Sequence, residues 1–224
     1  MKTLLKPLVL TGLAFCVSLT VHPARADVVF GVDPGASWIG YMNVYDYPGG
    51  VPGGYLWGSS WGTADLQASF AGATLTLGPN INCYNPTDPY WANPDGSPAK
   101  WMEASFYVET GTAYGGQTLE FTGLTLSDTL ANPYLSVAVI KEFTAGYGFV
   151  GMTTAPLVGG VFDISRAIAP GDVAQYGFMT TGPDANPVTV AALGNAQVTA
   201  VPEPASFALL GLATLGLLSW RRRQ

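Results

Sequence analysis

The C-terminal segment restricts the fold of this chain more than any other feature of its sequence. Residues 205–220 contain no charged side chain and show no polar face, and Arg221, Arg222 and Arg223 follow them directly. As a helix, residues 206–220 would be about 22 Å long at roughly 1.5 Å per residue, against roughly 30 Å for the hydrocarbon core of a bilayer. A helix packed in a small domain needs a polar face toward solvent, which this segment lacks. The pattern therefore predicts a transmembrane helix with the three arginines as a basic stop on the cytoplasmic side.

The tripeptide before this helix consists of Pro202, Glu203 and Pro204. With the apolar helix and the basic end, it resembles the C-terminal sorting signal of the PEP-CTERM family of bacterial surface proteins. The resemblance implies that an exosortase, a membrane-embedded cysteine protease, recognises the tripeptide and removes the tail. It also implies a precursor anchored in the inner membrane and a product at the cell surface or in the extracellular matrix. Names given to such tails sometimes mention ice binding, and those names imply no activity.

The N-terminal residues have the pattern of a secretory signal peptide over residues 1–26. Two lysines within the first six residues precede an apolar core at residues 7–21, and Ala24 and Ala26 give the small-residue pattern of a cleavage site. Cleavage after Ala26 would leave Asp27 as the first residue of the mature protein. The sequence therefore predicts export by the Sec pathway.

Between the two end segments, residues 27–201 are predicted to form one domain, followed by the sorting signal at residues 202–224. The domain holds fourteen acidic residues and only three cationic ones, which gives a net charge of about −11. The three cations are Lys100, Lys141 and Arg166. Because binding to phosphate backbones requires cationic side chains, this balance excludes DNA and RNA as partners.

The composition of the predicted domain also excludes several kinds of catalytic site. The single histidine, His22, lies in the predicted signal peptide together with Cys16, so Cys83 is the one cysteine of the domain. Without histidine, the domain cannot hold Ser-His-Asp or Cys-His catalytic groups or a His-ligated zinc or copper site. Cys83 has no partner for an intramolecular disulfide, and we expect it to be buried.

Alternation of apolar and polar residues predicts β-strands throughout the domain. The clearest example is residues 102–109, where Met102 and Phe106 fall on one face and Glu103 and Glu109 on the other. The predicted strands cover residues 37–45, 73–77, 102–109, 117–126, 134–143, 158–164, 173–180 and 196–200.

About eight short strands separated by glycine and proline turns are typical of an antiparallel β-sandwich. The sequence therefore predicts an all-β, jelly-roll-like sandwich, with one short helix at residues 187–193 as the exception. No fixed sequence period is present, which argues against a repeat solenoid.

Residues 46–100 are predicted to be largely irregular, apart from the strand at residues 73–77, and are rich in glycine, proline and tryptophan. Long ordered loops often carry function. Flat aromatic rings can stack on the C–H faces of sugar rings while neighbouring polar side chains bind the hydroxyl groups. The alternative is that the rings only cover the ends of the sandwich. The candidate ligand-binding residues are Trp57, Trp61, Tyr90, Trp91 and Trp101.

Calcium is the one candidate ion, and no other cofactor is expected. Asp88 and Asp95 lie in the same loop region and supply the hard oxygen donors that calcium prefers. No spacing matches an EF-hand loop, and acidic side chains exposed to solvent explain these residues equally well.

The sequence predicts a protein that is not an enzyme. Glu103 and Glu109 share one face of a strand but lie about 20 Å apart at roughly 3.3 Å per residue. A pair of glycosidase carboxylates requires a separation of about 5–10 Å.

Three classes of function remain open. The first is an exported, non-catalytic β-sandwich that associates with exopolysaccharide, a polymer typical of the bacteria that carry the PEP-CTERM family. The second is a self-associating coat protein or adhesin, which would expose strand edges. The third is a glycosidase, which would need a carboxylate partner from a neighbouring strand. The first is the function that the sequence favours.

Overall fold

The computed structural model describes residues 28–202, which form two six-stranded β-sheets packed face to face. The strands are β1 (Val28–Phe30), β2 (Ile39–Asp46), β3 (Tyr55–Trp61), β4 (Ala68–Ala71), β5 (Thr74–Leu77), β6 (Lys100–Glu109), β7 (Thr118–Asp128), β8 (Leu135–Phe143), β9 (Phe149–Pro156), β10 (Gly160–Ala167), β11 (Val173–Pro183) and β12 (Ala196–Thr199). Two 3₁₀ helices, Thr63–Leu66 and Val190–Leu193, are the helical structure of these residues. The predicted all-β fold with two packed sheets is confirmed.

Both ends of the chain lie outside the described residues, and with them several predicted features. Within residues 28–202, no helix is long and apolar enough to cross a bilayer. The predicted transmembrane helix and the predicted signal peptide fall outside this range and stay predictions. The same holds for the structure around Ala24, Ala26, Asp27, Glu203, Pro204, Arg221, Arg222 and Arg223.

The two sheets differ in their connectivity. Sheet A contains β1, β4, β5, β7, β10 and β12. In this sheet β10 pairs along one edge of β7, while the other edge is shared by β1, which is parallel to it, and β12, which is antiparallel. Sheet B is antiparallel throughout, in the order β3-β2-β6-β11-β8-β9. The centre of sheet B is therefore formed by β6 and β11, and β3 and β9 are its edges.

The facing sides of the two sheets enclose one apolar core. Phe178 of sheet B is fully buried, and its ring centroid lies 5.3 Å from that of Phe121 and 5.8 Å from that of Phe162 in sheet A. Trp38 stacks on Phe106 with 4.6 Å between ring centroids. Complete burial of a large apolar side chain contributes about 1.5–3 kcal/mol, so these aromatic contacts hold the two sheets together.

Replacing Phe178 with alanine should strongly destabilise the sandwich, because it removes the ring at which both sheets meet. We expect Phe178→Ala to lower the free energy of unfolding by about 3–5 kcal/mol in urea denaturation. Val188→Ala is the control, since Val188 is 88% exposed and its truncation should change that free energy by less than about 0.5 kcal/mol. A loss below about 1 kcal/mol for Phe178→Ala would contradict this account of the core.

The structure corrects the prediction that residues 46–100 are irregular apart from one strand, because β3 and β4 also lie there. Alternation did not reveal β3, since it is an edge strand whose centre consists of Gly58, Ser59 and Ser60. It did not reveal β9 either, because none of the residues of this edge strand is buried.

The predicted helix at residues 187–193 is shorter than expected and has a different type. Only Val190–Leu193 is helical, as a 3₁₀ turn. The backbone N–H of Ala192 donates to the carbonyl of Thr189 at 3.0 Å, a bond that spans three residues. Asn186 accepts a hydrogen bond from the N–H of Val188 at 2.9 Å, which closes a local turn instead of opening an α-helix.

A buried carboxylate follows β11 directly. Asp184 is 0% exposed, and neither of its carboxylate oxygens has a hydrogen-bond partner within the described part of the chain. Burial raises the pKa of Asp184 to about 7. The same surroundings raise the pKa of Cys83 to about 12, first through burial and then through the charge of Asp184. Cys83 is half-buried, and its thiol is therefore held in the unreactive neutral form.

The buried carboxyl of Asp184 should make the fold less stable as the pH rises. Its pKa in the folded chain is higher than the ordinary value of 3.8. The stability that the neutral carboxyl gives to the fold is therefore complete below pH 3.8, and it is lost as the pH rises to about 7. We expect Asp184→Asn to be more stable than the unmodified protein above pH 7, by a few kcal/mol in order of magnitude. Urea denaturation at a series of pH values measures the difference, which should narrow toward about pH 4. A difference that is independent of pH would contradict this explanation.

Candidate functional site

The outward face of sheet B carries a groove of about 740 Å³. All six strands of the sheet and the turn before β9 contribute side chains to it, and most of these side chains are aromatic or polar. The lining residues are Tyr41, Asn43, Tyr45, Ser60, Glu103, Ser105, Tyr107, Glu109, Lys141, Phe143, Tyr147, Phe149, Met152 and Gln175. A cavity of this size that mixes aromatic walls with a few polar groups is typical of a small-ligand site.

The alternation of β6 places the polar residues in this groove. Met102, Ala104 and Phe106 are buried in the core between the sheets, so the residues that alternate with them point to the opposite face. Glu103 and Glu109 consequently lie in the groove, as the sequence predicted for the polar face of this strand. In the neighbouring β2, Met42 points inward in the same way.

Small and apolar residues form the central part of the same face. Gly177 lies opposite Tyr107 on β6 and opposite Val139 on β8. A Cβ atom on Gly177 would come within 2.7 Å of the Cα atom of Tyr107, so a larger residue would force the strands apart. Val139 forms a second buried apolar cluster with Val137 and Met179. The absence of a side chain at Gly177 therefore leaves room above the centre of sheet B.

Around Glu103, the groove carries a paired charge. Glu103 accepts a hydrogen bond from the Nδ2 atom of Asn43 at 2.9 Å and lies 3.8 Å from the Nζ atom of Lys141. Lys141 also donates to the Oγ atom of Ser105 at 2.8 Å. Burial lowers the pKa of Lys141, and the nearby carboxylate of Glu103 opposes that shift. Burial, with the charge of Glu103, raises the pKa of Tyr45 to about 12, so this phenol is a neutral hydrogen-bonding group.

Glu109 is surrounded differently from Glu103. It accepts hydrogen bonds from the Oη atom of Tyr147 at 2.7 Å and from the Nε2 atom of Gln175 at 2.9 Å. The bond to Glu109 raises the pKa of Tyr147, and burial raises that of Tyr107 with the charge of Glu109 adding to it. Tyr147 is 58% exposed, and its backbone has a φ of 62°, in a turn closed by a 2.8 Å bond between the N–H of Thr144 and the carbonyl of Gly148. This turn presents the phenol of Tyr147 to Glu109.

The two groove carboxylates are too far apart to work as a glycosidase pair. Glu103 and Glu109 are six residues apart on the continuous strand β6, which corresponds to about 20 Å. Among the described residues, they are the carboxylates that line the groove. A retaining or inverting pair needs carboxylates about 5–10 Å apart.

Three of the five aromatic residues predicted to bind ligand lie together, away from this groove. The Nε1 atom of Trp57 donates to the Oη atom of Tyr90 at 2.8 Å, and the ring of Trp91 lies edge-on to both. Lys100 covers the ring of Tyr90 with its Nζ atom 4.5 Å from the centroid. Trp57 and Trp91 are partly buried against the core, although Tyr90 is exposed.

The other two predicted residues lie elsewhere. Trp61 shares the inward-facing side of β3 with Trp57, and it donates to the Oγ atom of Ser59 at 3.0 Å. Trp101 lies on the groove side of β6, where its ring packs 5.6 Å from that of Tyr47. The five rings therefore do not form one continuous platform, and ligand binding by them stays a prediction.

The two candidate calcium ligands take part in local turns. Asp88 accepts a hydrogen bond from the N–H of Tyr90 at 2.9 Å, and Asp95 accepts bonds from the N–H and the hydroxyl of Ser97 at 2.9 and 2.7 Å. The bonds from Ser97 lower the pKa of Asp95. Over residues 28–202, no group of three or more His, Cys, Asp or Glu side chains is placed to hold a metal ion. Calcium binding at Asp88 and Asp95 stays a prediction.

Several groove residues were not singled out by the sequence. The alternation of β2 could have identified Tyr41, Asn43 and Tyr45, because they point to the face of the strand opposite that of buried Met42. Tyr147 and Gln175 could not, because their contact with Glu109 depends on how β6, β8, β9 and β11 pair.

The C-terminal residues match a known family model. Residues 200–223 match the model of the PEP-CTERM protein-sorting motif, so the predicted sorting signal is confirmed. The motif implies a secreted surface protein that an exosortase processes and whose precursor is anchored in the membrane. No curated protein and no solved structure matches this chain.

Proposed function

We propose that this chain, an exosortase-targeted surface protein that carries the PEP-CTERM sorting motif, binds carbohydrate without catalysis through the groove of sheet B. The observation that carries the proposal is the groove itself. It is about 740 Å³ in volume and combines tyrosine and phenylalanine rings with carboxylate, amide and hydroxyl groups. A cell-surface destination supports the proposal, because extracellular polysaccharide is a ligand that a surface protein can reach.

The groove offers the two kinds of contact that a sugar needs. Its rings stand on both walls, with Tyr41 and Tyr45 on β2 and Phe149 on β9, where they can stack on the C–H faces of sugar rings. Glu103 on β6 and Gln175 on β11 lie between those walls, and Asn43 lies beside the tyrosines on β2; all three can bind hydroxyl groups. The side chains of the sheet are held by the core beneath them, so the site is largely formed before the ligand arrives.

The separation of the carboxylates supports a binding role over a hydrolytic one. Glu103 and Glu109 lie about 20 Å apart along β6, beyond the range of a glycosidase pair. Without a second carboxylate near either of them in the groove, a sugar bound there meets hydrogen-bond acceptors but no acid and base pair.

Self-association is the second candidate function, and the edge strand β9 favours it. Among residues 28–202 no strand pairs with the outer side of β9, and Phe149, Val150 and Met152 are exposed along it. An unpaired edge with apolar side chains can pair with the edge of another copy. This function predicts oligomers and no dependence on a soluble sugar.

A pull-down on the exopolysaccharide of the producing organism tests the carbohydrate proposal. Residues 27–201 are incubated with the polymer, first with calcium and then with a chelator. We expect binding in both conditions. The double variant Tyr41→Ala, Phe149→Ala should bind at least about tenfold more weakly, because aromatic rings that a ligand covers typically contribute more than about 1 kcal/mol each to binding.

Tyr90→Ala is the matched control, because Tyr90 is an exposed aromatic residue of the separate cluster around Trp57. It should leave binding unchanged. If Tyr90→Ala weakens binding and the double variant does not, the sugar binds at the aromatic cluster and the groove proposal is wrong. Binding that disappears with the chelator would indicate an ion-bridged contact. If no binding occurs and sedimentation shows oligomers, self-association is the better explanation.

A further inference from the structure

We infer that the Glu109 end of the groove binds a primary ammonium group, and that the ligand is a glycan with free amino groups. This inference rests on the proposed carbohydrate function and names the class of sugar for the same site. Partly deacetylated hexosamine polymers are the glycans with that chemistry.

The first observation is that Glu109 is a carboxylate with only neutral partners. Its two hydrogen bonds come from the phenol of Tyr147 and the amide of Gln175. A carboxylate offers about four acceptor positions, so further donors can still bind. Neither neutral partner cancels the negative charge, which remains available to a cation.

The second observation is that the cations of the described domain are already paired. Lys100 lies 3.1 Å from Asp46, Lys141 lies 3.8 Å from Glu103, and Arg166 forms a 2.6 Å contact with Glu142. These are the three cationic residues of residues 28–202. None of them lies within 4.0 Å of Glu109, so a positive charge for this carboxylate must come from outside that part of the chain.

The third observation is the set of aromatic rings beside Glu109. Phe143 lies 6.4 Å from Tyr147 and 5.7 Å from Phe149, measured between ring centroids, and all three rings line the groove. Phe149 is 61% exposed, so this part of the groove is open to a ligand. The π face of an aromatic ring attracts cations. A carboxylate among several rings is therefore suited to an ammonium group on an apolar frame, as an amino sugar presents it.

The charge of the groove disfavours the opposite class of glycan. Glu103, Glu109 and Lys141 are the charged residues that line it, which gives a net charge of −1. The acidic domain around it adds a negative field that attracts cationic polymers and repels uronate or sulfate groups. A divalent metal ion fits less well, since calcium takes six to eight oxygen ligands and the described residues bring no three acidic side chains together.

The inference is tested by titrating the full chain with three oligosaccharides of equal length. The protein is solubilised in a detergent without sugar headgroups, and calorimetry measures its affinity for a glucosamine oligomer, an N-acetylglucosamine oligomer and a neutral glucose oligomer. We expect the glucosamine oligomer to bind most tightly. Glu109→Gln keeps the size and the acceptor oxygen of the side chain, and it should weaken glucosamine binding about 10- to 100-fold while changing N-acetylglucosamine binding by less than about threefold.

Asp163→Asn is the charge-matched control, because Asp163 is an exposed residue of β10 in the other sheet. It removes the same charge from the domain and should leave all three affinities unchanged. If both variants weaken glucosamine binding equally, the preference reflects the overall charge and the ammonium site at Glu109 is wrong. If the oligomers bind equally well, the inference fails and the carbohydrate function stands. If none binds, the inference also fails, and the pull-down on the exopolysaccharide decides the proposed function separately.

Discussion

The packing of sheet B on sheet A through the alternating side chains of β6 is the constraint on which the rest of the structure depends. β6 lies between β2 and β11, and its apolar residues, such as Phe106, are buried against Phe178 and Trp38 in the core. Because successive residues of a strand point to opposite faces, this burial fixes Glu103, Ser105 and Glu109 on the outward face. A one-residue change of register would move the carboxylates into the core, where unpaired charges are very costly.

Electrostatic pairing then gives the two ends of the groove different properties. The described domain has three cations, and each is held by a carboxylate: Asp46, Glu103 or Glu142. Glu103 lies 3.8 Å from the Nζ atom of Lys141, while the hydrogen-bond partners of Glu109 are a phenol and an amide. The same shortage of cations leaves Glu109 without a cationic partner among the described residues, which is the basis of the proposed ammonium site.

Alternation in the sequence predicted the strands that pack into the core and missed those at the edges. The sequence predicted β7 and β8 because their apolar side chains are buried on folding. Leu119 and Phe121 of β7 are fully buried, and both faces of β8 are covered. β3 and β9 were missed, since an edge strand has no need to bury alternate residues. The candidate aromatic residues show a related limit. Sequence composition indicated many rings near Trp57 and Trp91, but it contained no information on which face of the sandwich would receive them.

The sequence by itself determined the sorting motif at residues 200–223 and the side-chain types that the chain lacks after residue 22. A sorting motif works through a short linear pattern, and the absence of histidine after His22 needs no structure to be interpreted. It also determined the two faces of β6, since alternation is a local property of the chain. Only the tertiary structure decided that Tyr147 and Gln175 meet Glu109, and that Phe149 and Tyr41 line the same groove. These residues lie up to about a hundred positions apart in the chain and are brought together by strand pairing. The pairing depends on the burial of the whole core, which no local sequence pattern indicates.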